Sequence, residues 1–430
     1  MGSELVDIVV IGGGAAGMMA AIKAAEMGCS VTLIEKNNIC GKKILLTGKG
    51  RCNLTNTKKW SEFSSHIHPV ASFFKSSFFH FDNISTIEFF NSIGLQTTVE
   101  QGERVFPASM HAADVPKVLV DRMNTLNINI LYNSEVLSVS VADEIFKCVY
   151  ARSFRNDNNV ASIDSEILCS KAMIIATGGL SYPSTGSTGD GYEFARKLSH
   201  SIVNTFPSLT ALIPDNYNPH LYNINLNNVG LNLFVDRDLI QMELGDVNFT
   251  SNGIEGSLGY RVSRKAIKAM INGQKVELVL DLKPALSMKI LTERINRDLA
   301  QLKTDVSRTP SIGTLRTILR GLMPVDLILP FMEYNKDLNF GNMAYKLKEW
   351  RFKIKSYIGY ERAVITAGGI SRSDIIAKNM KSRHIPNLYF AGEVIDLDGD
   401  TGGYNLQIAF STGALAGASA AQQILKSNKG

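Results

Sequence analysis

Near its start the chain carries Gly12-Gly13-Gly14-Ala15-Ala16-Gly17, and Glu35 follows about 20 residues later. Glycines at these spacings let a chain turn tightly out of a strand, bring backbone against a phosphate, and seat a helix closely on its strand. The N–H groups of the first helical turn then face an anion, and the helix dipole favours its charge. A carboxylate at the end of the next strand accepts hydrogen bonds from a ribose diol. The chemistry this predicts is recognition of a dinucleotide. Among the candidate cofactor residues Gly12, Gly14, Ala15, Ala16 and Gly17, Gly12 permits the turn, Gly14 lets backbone approach the pyrophosphate and Gly17 packs the helix on the strands, while Glu35 serves the ribose.

Those residues need a strand, a turn, a helix and a second strand to hold them. Asp7–Ile11 (DIVVI) is a short β-branched run, as expected of a buried parallel strand. MMAAIKAAEMG reads as a helix of small residues ending near Gly28, and Ser30–Glu35 (SVTLIE) as the second strand. The far end of the chain repeats the design. NLYFAGE (387–393) is a strand running into a turn, and Gly402-Gly403-Tyr404-Asn405-Leu406-Gln407 opens another helix of small residues. This predicts a C-terminal return to the nucleotide domain, with Gly392 and Glu393 meeting a ribityl chain. The helix start, Gly403 through Tyr404, Asn405 and Leu406, then presents free N–H groups to the N1/C2=O edge of a flavin. That arrangement favours FAD over NAD. A third strand, KAMIIATGG (171–179), is expected to end at the same site with Thr177 and Gly178. The glycine-rich Thr185–Gly191 suits close approach to a ligand and equally suits a connector.

Residues 41–56 follow Glu35 closely and carry Lys42, Lys43, Lys49 and Arg51 among glycines. They are expected to run beside the FAD, with Lys43, Gly48, Arg51 and Cys52 in contact. Lys36 and Val136 complete the candidate cofactor contacts. Cys40 and Cys52 stand twelve residues apart, not the four of a dithiol reductase, which argues against disulfide reduction. Cys52 reads as a lone thiol near the flavin or as a small packing residue.

The 430 residues, 45% of them hydrophobic and 20% charged, suit a soluble protein of more than one domain. The formal charge is +5, but Arg261–Tyr360 holds 19 Lys/Arg against 9 Asp/Glu, a net of +10. Such a segment can meet a nicotinamide cofactor or RNA, or be a solvated face. Five scattered cysteines show neither C-x-x-C nor a zinc spacing, so no metal site is expected and a reducing cytoplasm is. Ile8–Ile22 is too short to span a bilayer and has the wrong flanking charge for a signal peptide, so no membrane partner is expected.

Five segments carry a family likeness: GKKILLTGKGRCNLTN (41–56), ERVFPASMHAADV (103–115), TGGLSYPSTGSTGDGY (177–192), ITAGGIS (365–371) and LYFAGEVIDLDGDTGGYNLQIAFSTG (388–413). On these the chain resembles the BaiN/RdsA-type bacterial flavoproteins, also described as NAD(P)/FAD-dependent oxidoreductases, which include an aminoacetone oxidase. The resemblance implies an α/β fold with a discontinuous Rossmann-like FAD-binding domain (1–195 and 366–430). An inserted β-rich, barrel-like domain (196–284 and 349–365) would carry a small helical domain (285–348). Short β-type runs such as LNLFVD and KVELVLDL, and the helical MKILTERINRDLAQL, agree with that division. The implied activity is hydride transfer through flavin N5 to or from a small organic substrate, with an enone-type double bond and NAD(P)H as reductant leading. A second GxGxxG is absent, so NAD(P)H would bind only transiently. An oxidase using O2 and an RNA-modifying flavoprotein are the alternatives. Nucleic acid is the less favoured partner, and the protein is expected to be a monomer or homodimer. Tyr404, Tyr182, His111 and Arg104 lie in the matching segments and, with Cys52, are the catalytic candidates.

Overall fold

The computed structural model describes residues 5–155, 161–302 and 312–428. It divides into two compact units, Met1–Phe206 with Val364–Gly430, and Pro207–Ala363.

In the first unit β1 (Leu5–Ile11) leads into α1 (Ala15–Glu26) and β2 (Val31–Ile34). Later come β3 (Asn129–Leu131), β4 (Ala161–Ile175), β5 (Leu388–Phe390) and α2 (Tyr404–Ser427). The strands lie side by side in the order β5–β4–β1–β2–β3, every pair parallel. Central position explains the composition of β1. It pairs on both edges, and Ile8, Val9 and Val10 are at most 1% exposed. Each such side chain contributes about 2 kcal/mol on burial. Register sets the site: Ile11 lies opposite Ile175, and Ile175 opposite Phe390. The turns that follow, at Gly12, Thr177 and Gly392, therefore meet at one edge of the sheet, where open α/β folds bind ligands.

α1 and α2 run against each other with almost no side-chain spacer. A Cβ at Gly413 would lie 2.3 Å from the Ala16 carbonyl oxygen, and one at Gly417 would lie 2.2 Å from that of Ala20. The small residues of both helices are there for this contact, which seats the C-terminal segment on the nucleotide-binding unit.

The second unit holds a closed six-stranded barrel built from Leu212–Pro214, Ile224–Val235, Asp238–Thr250, Gly253–Glu255, Val276–Asp281 and Trp350–Tyr357. Helix Gly256–Ile271 buries Leu258, Val262 and Ile267. Helices Met288–Gln301, Ile312–Arg320, Val325–Tyr334 and Met343–Lys348 belong to the same compact unit. The fold is the expected one: a discontinuous Rossmann-like α/β fold of the FAD-binding type with an inserted barrel and helices. Among the described residues no helix is long and apolar enough to cross a membrane.

Candidate functional site

The ends of β1, β4 and β5 open on a cavity. Gly14 caps the N-terminus of α1 with φ −77°, and a Cβ there would meet no atom within 4 Å. Open space thus lies beside the helix N-terminus, where the first-turn amides have no partner in the helix. Gly12 and Gly17 answer to packing instead. The first has φ +102°, and a Cβ on the second would lie 1.9 Å from the Gly12 carbonyl oxygen.

Glu35 is buried at the end of β2. One carboxylate oxygen accepts from Gly13 N at 2.7 Å, and the other accepts from Asn37 N at 2.8 Å and Asn37 Nδ2 at 2.6 Å. These bonds hold the glycine turn and the loop after β2 together. The Thr185–Gly191 run folds onto that loop: Asn37 Nδ2 donates to Thr185 O at 3.0 Å, and Lys36 Nζ lies 2.5 Å from Asp190 Oδ2.

Further along the cavity, Lys43 Nζ and Glu393 Oε2 are 2.8 Å apart, while Glu393 Oε1 accepts from Thr366 N at 2.8 Å. The hydroxyl of Thr177 is buried and has no hydrogen-bond partner among the described residues. That hydroxyl lies against Gly191, where a Cβ would come within 2.1 Å of it.

α2 brings Asn405 and Leu406 to the wall. Asn405 braces the loop before it: its Oδ1 accepts from Gly399 N at 2.8 Å, and its Nδ2 donates to Gly399 O at 2.7 Å and Asp400 O at 3.2 Å. With the Asn53 amide oriented to satisfy both its groups, its oxygen accepts from Gly403 N at 3.0 Å.

These features suit one extended, doubly anionic ligand. There is open space at a helix N-terminus, a ribose-type carboxylate, and a far end carrying an ion pair and helical amides. Comparison with known proteins agrees. The family described as HI0933-like protein Rossmann domain matches residues 6–419. The chain belongs to this family. The 3-dehydro-bile acid delta(4,6)-reductase of Clostridium scindens is 29% identical, over 97% of this chain and 99% of that protein. The ribosomal RNA dihydrouridine synthase of Escherichia coli is 29% identical, over 95% and 96%. Among solved structures, a 3-ketosteroid delta1-dehydrogenase from Sterolibacterium denitrificans superposes with a TM-score of 0.51 at 13% identity, over 97% of this chain and 100% of that one. A 3-ketosteroid-delta4-(5alpha)-dehydrogenase from Rhodococcus jostii RHA1 gives 0.50 at 16% identity, over 98% of each. At these identities the structures show the shared fold alone. The resemblance to BaiN/RdsA-type flavoproteins read from the motifs is borne out.

In this HI0933-like protein the cavity wall gathers Gly12, Gly14, Ala15, Ala16, Glu35 and Lys36 at one end. Lys43, Val136, Thr177, Gly178, Gly392, Glu393, Asn405 and Leu406 also line it. Gly17, Gly48, Arg51, Cys52, Gly403 and Tyr404 are not among the lining residues. Arg51 instead pairs with Glu100 at 3.0 Å and lies over the Phe106 ring. Gly403 does not offer its N–H to the cavity, because Asn53 takes it. That corrects the expectation that this amide faces a flavin.

None of the five catalytic candidates lines the cavity. Tyr404 is buried, stacked on His66 and edge-on to Phe63. Tyr182 holds φ +53° at the start of a short 3-10 turn. Arg104 donates to Gln101 O, and His111 is exposed on a loop. Cys52 is fully buried, and burial pushes its thiol up to about 12, so it is no thiolate nucleophile. Sequence reasoning missed Asn37, Thr47 and Asp190 in the wall. The glycines flanking Asp190 were the only signal for that segment.

Proposed function

We propose that this protein is an FAD-dependent reductase of a carbon–carbon double bond conjugated to a carbonyl, with NAD(P)H as electron donor. One observation carries the reading. Two relatives of 29% identity, aligned over nearly their whole length, bear names that describe reductions of one chemical type. A 3-oxo steroid with a delta4 double bond and a uracil ring both offer an alkene conjugated to a carbonyl. Reduction adds hydride to the carbon remote from the carbonyl and a proton to the nearer one, and NAD(P)H supplies the electron pair.

FAD, when bound, supplies hydride exchange at its N5. The residues present fit it. The turn Gly12–Gly14 and the α1 N-terminus take the pyrophosphate into the space beside Gly14. Glu35, already fixed by Gly13 and Asn37, offers its one remaining lone pair to the ribose. The Lys43–Glu393 pair holds the middle of the ligand. Asn405 and Leu406, in the first turn of α2, bring helix-terminal amides to the ring end, where they favour negative charge.

Substrate size separates two readings. A small enone is the first. A uracil within RNA is the second, favoured by the synthase relatives and by the net +10 of residues 261–360. The test is anaerobic mixing of the yellow protein with NADH or NADPH, then with a 3-oxo-delta4 steroid or uridine-containing rRNA. The expected result is bleaching of the flavin by a nicotinamide and its return with one of the two acceptors. A flavin that neither nicotinamide reduces, or that only O2 reoxidises, overturns the reading.

A further inference from the structure

We propose that His66, Asp400 and His68 form a clasp that positions the N-terminus of α2 against the cofactor. The inference rests on the flavin reading above. Its parts come from opposite ends of the sequence. Ile67–His68 pairs antiparallel with Asp398–Gly399, and the Asp400 N–H then donates to His66 O at 3.0 Å. The Asp400 carboxylate holds one imidazole on each oxygen: His66 Nδ1 lies 2.8 Å from Oδ2, and His68 Nε2 lies 2.9 Å from Oδ1. Its side chain is only 17% exposed. A carboxylate that secluded needs such partners to remain charged.

Two connections carry the clasp to the cavity. The Asp400 carbonyl accepts from Asn405 Nδ2, and Asn405 lines the wall. His66 stacks on Tyr404, the first residue of α2, with ring centroids 4.6 Å apart. The first two residues of the helix are thus both tied to Asp400 or its partner. The loop between them, Thr401-Gly402-Gly403, has almost no side chain with which to anchor itself, and ordering such a segment costs about 1–2 kcal/mol per residue in backbone entropy. The imidazoles do not line the cavity, so all three are positioning residues. Burial raises the Asp400 carboxyl, but the bonds from His66 and His68 outweigh it and hold the group down at about 2.

The experiment measures FAD release from the holoprotein by recovery of flavin fluorescence. Asp400→Ala is expected to speed release about tenfold, the equivalent of one charge-assisted hydrogen bond. His66→Ala and His68→Ala each speed it less. His66→Asn and His68→Gln, which keep an N–H near the donating nitrogen, recover most of the parent's rate. In the Asp400→Ala background His68→Ala adds nothing further, because it acts through the same carboxylate, and His66→Ala adds only what its stacking on Tyr404 contributes. Release from Asp400→Ala at the parent's rate overturns the inference, as do histidine effects that persist undiminished in that background. If Asp400→Ala does not fold, the comparison of Ala with Asn at 66 and Ala with Gln at 68 decides: equal rates within each pair overturn the clasp. A parent protein that carries no FAD overturns the flavin reading and the clasp together. A parent that carries FAD and an unaffected Asp400→Ala overturn the clasp alone.

Discussion

Two helices start at the cavity wall, and a glycine stands at the head of each. Gly14 before α1 has ordinary backbone angles and empty space where a Cβ would be. Gly403 before α2 has φ +90°, and a Cβ there would lie 2.5 Å from the carbonyl carbon of Thr55. Its amide is bonded to Asn53. So the first glycine leaves room for a ligand and the second leaves room for the protein. The same residue at the same helical position has two causes, and only the surroundings tell them apart. The N-terminus of α1 is completed by what binds, whereas that of α2 is already held by Asn53, Asn405 and the loop around Asp400.

That contrast breaks most visibly at Gly403. Gly403→Ala forces a left-handed conformation on an L-residue and drives a methyl into the Thr55 backbone. We expect a loss of about 3 kcal/mol or more, read as a lowered urea midpoint in the apoprotein. Stability equal to the parent's would show that Thr55 gives way and that the two glycines are alike.

The converse change is Gly14→Val. Its side chain would point into the cavity, so the apoprotein should stay within about 0.5 kcal/mol of the parent. FAD affinity, measured by titrating the apoprotein, should fall at least about tenfold. Lost stability with affinity unchanged would reverse the assignment of the two glycines.

A smaller effect sharpens the α2 side. Asp400 has a folded-state pKa of about 2 against an ordinary 3.8, with His66, His68 and Tyr404 around it. A depressed carboxylate contributes stability that is fully present above the ordinary value and is lost as pH falls through the folded one. The stability of the parent should therefore drop between pH 3.8 and about 2, and Asp400→Asn should show a shallower drop over that window. Superimposable acid unfolding curves would remove Asp400 from the account.

The smallest effects belong to the cysteines. All five are free. Burial, reinforced by the Glu35 charge, pushes the Cys40 thiol up to about 12, and burial alone does the same at Cys52. Cys40→Ser and Cys52→Ser should leave the rate of flavin reduction within about twofold of the parent's, since a protonated thiol is a poor nucleophile. Loss of turnover with flavin reduction intact would point to a dithiol relay.

The α1 side was legible in the sequence because its determinants are local. A β-branched run, three spaced glycines and Glu35 all fall within one βαβ unit, and each has a single physical use. The α2 side was legible only in outline. Glycine content and position placed its helix at the cavity, and Asn405 and Leu406 do line it. What holds the loop comes from far away: Thr55 and Asn53 for Gly403, His66 and His68 for Asp400, and Lys43 for Glu393. Pairings across some 330 to 350 residues leave no periodicity to read. Tyr404 shows the same limit. Its place in a motif said nothing about which way the ring points, and it packs on His66 and Phe63.

The contrast between the two helix starts is tested most directly by a crystal structure of the protein with FAD bound. The account predicts pyrophosphate oxygens in the space beside Gly14, within reach of the first-turn amides of α1, and a Gly403 N–H still bonded to the Asn53 side chain. A pyrophosphate elsewhere in the cavity, or a Gly403 amide released from Asn53 and turned onto the flavin, would contradict it.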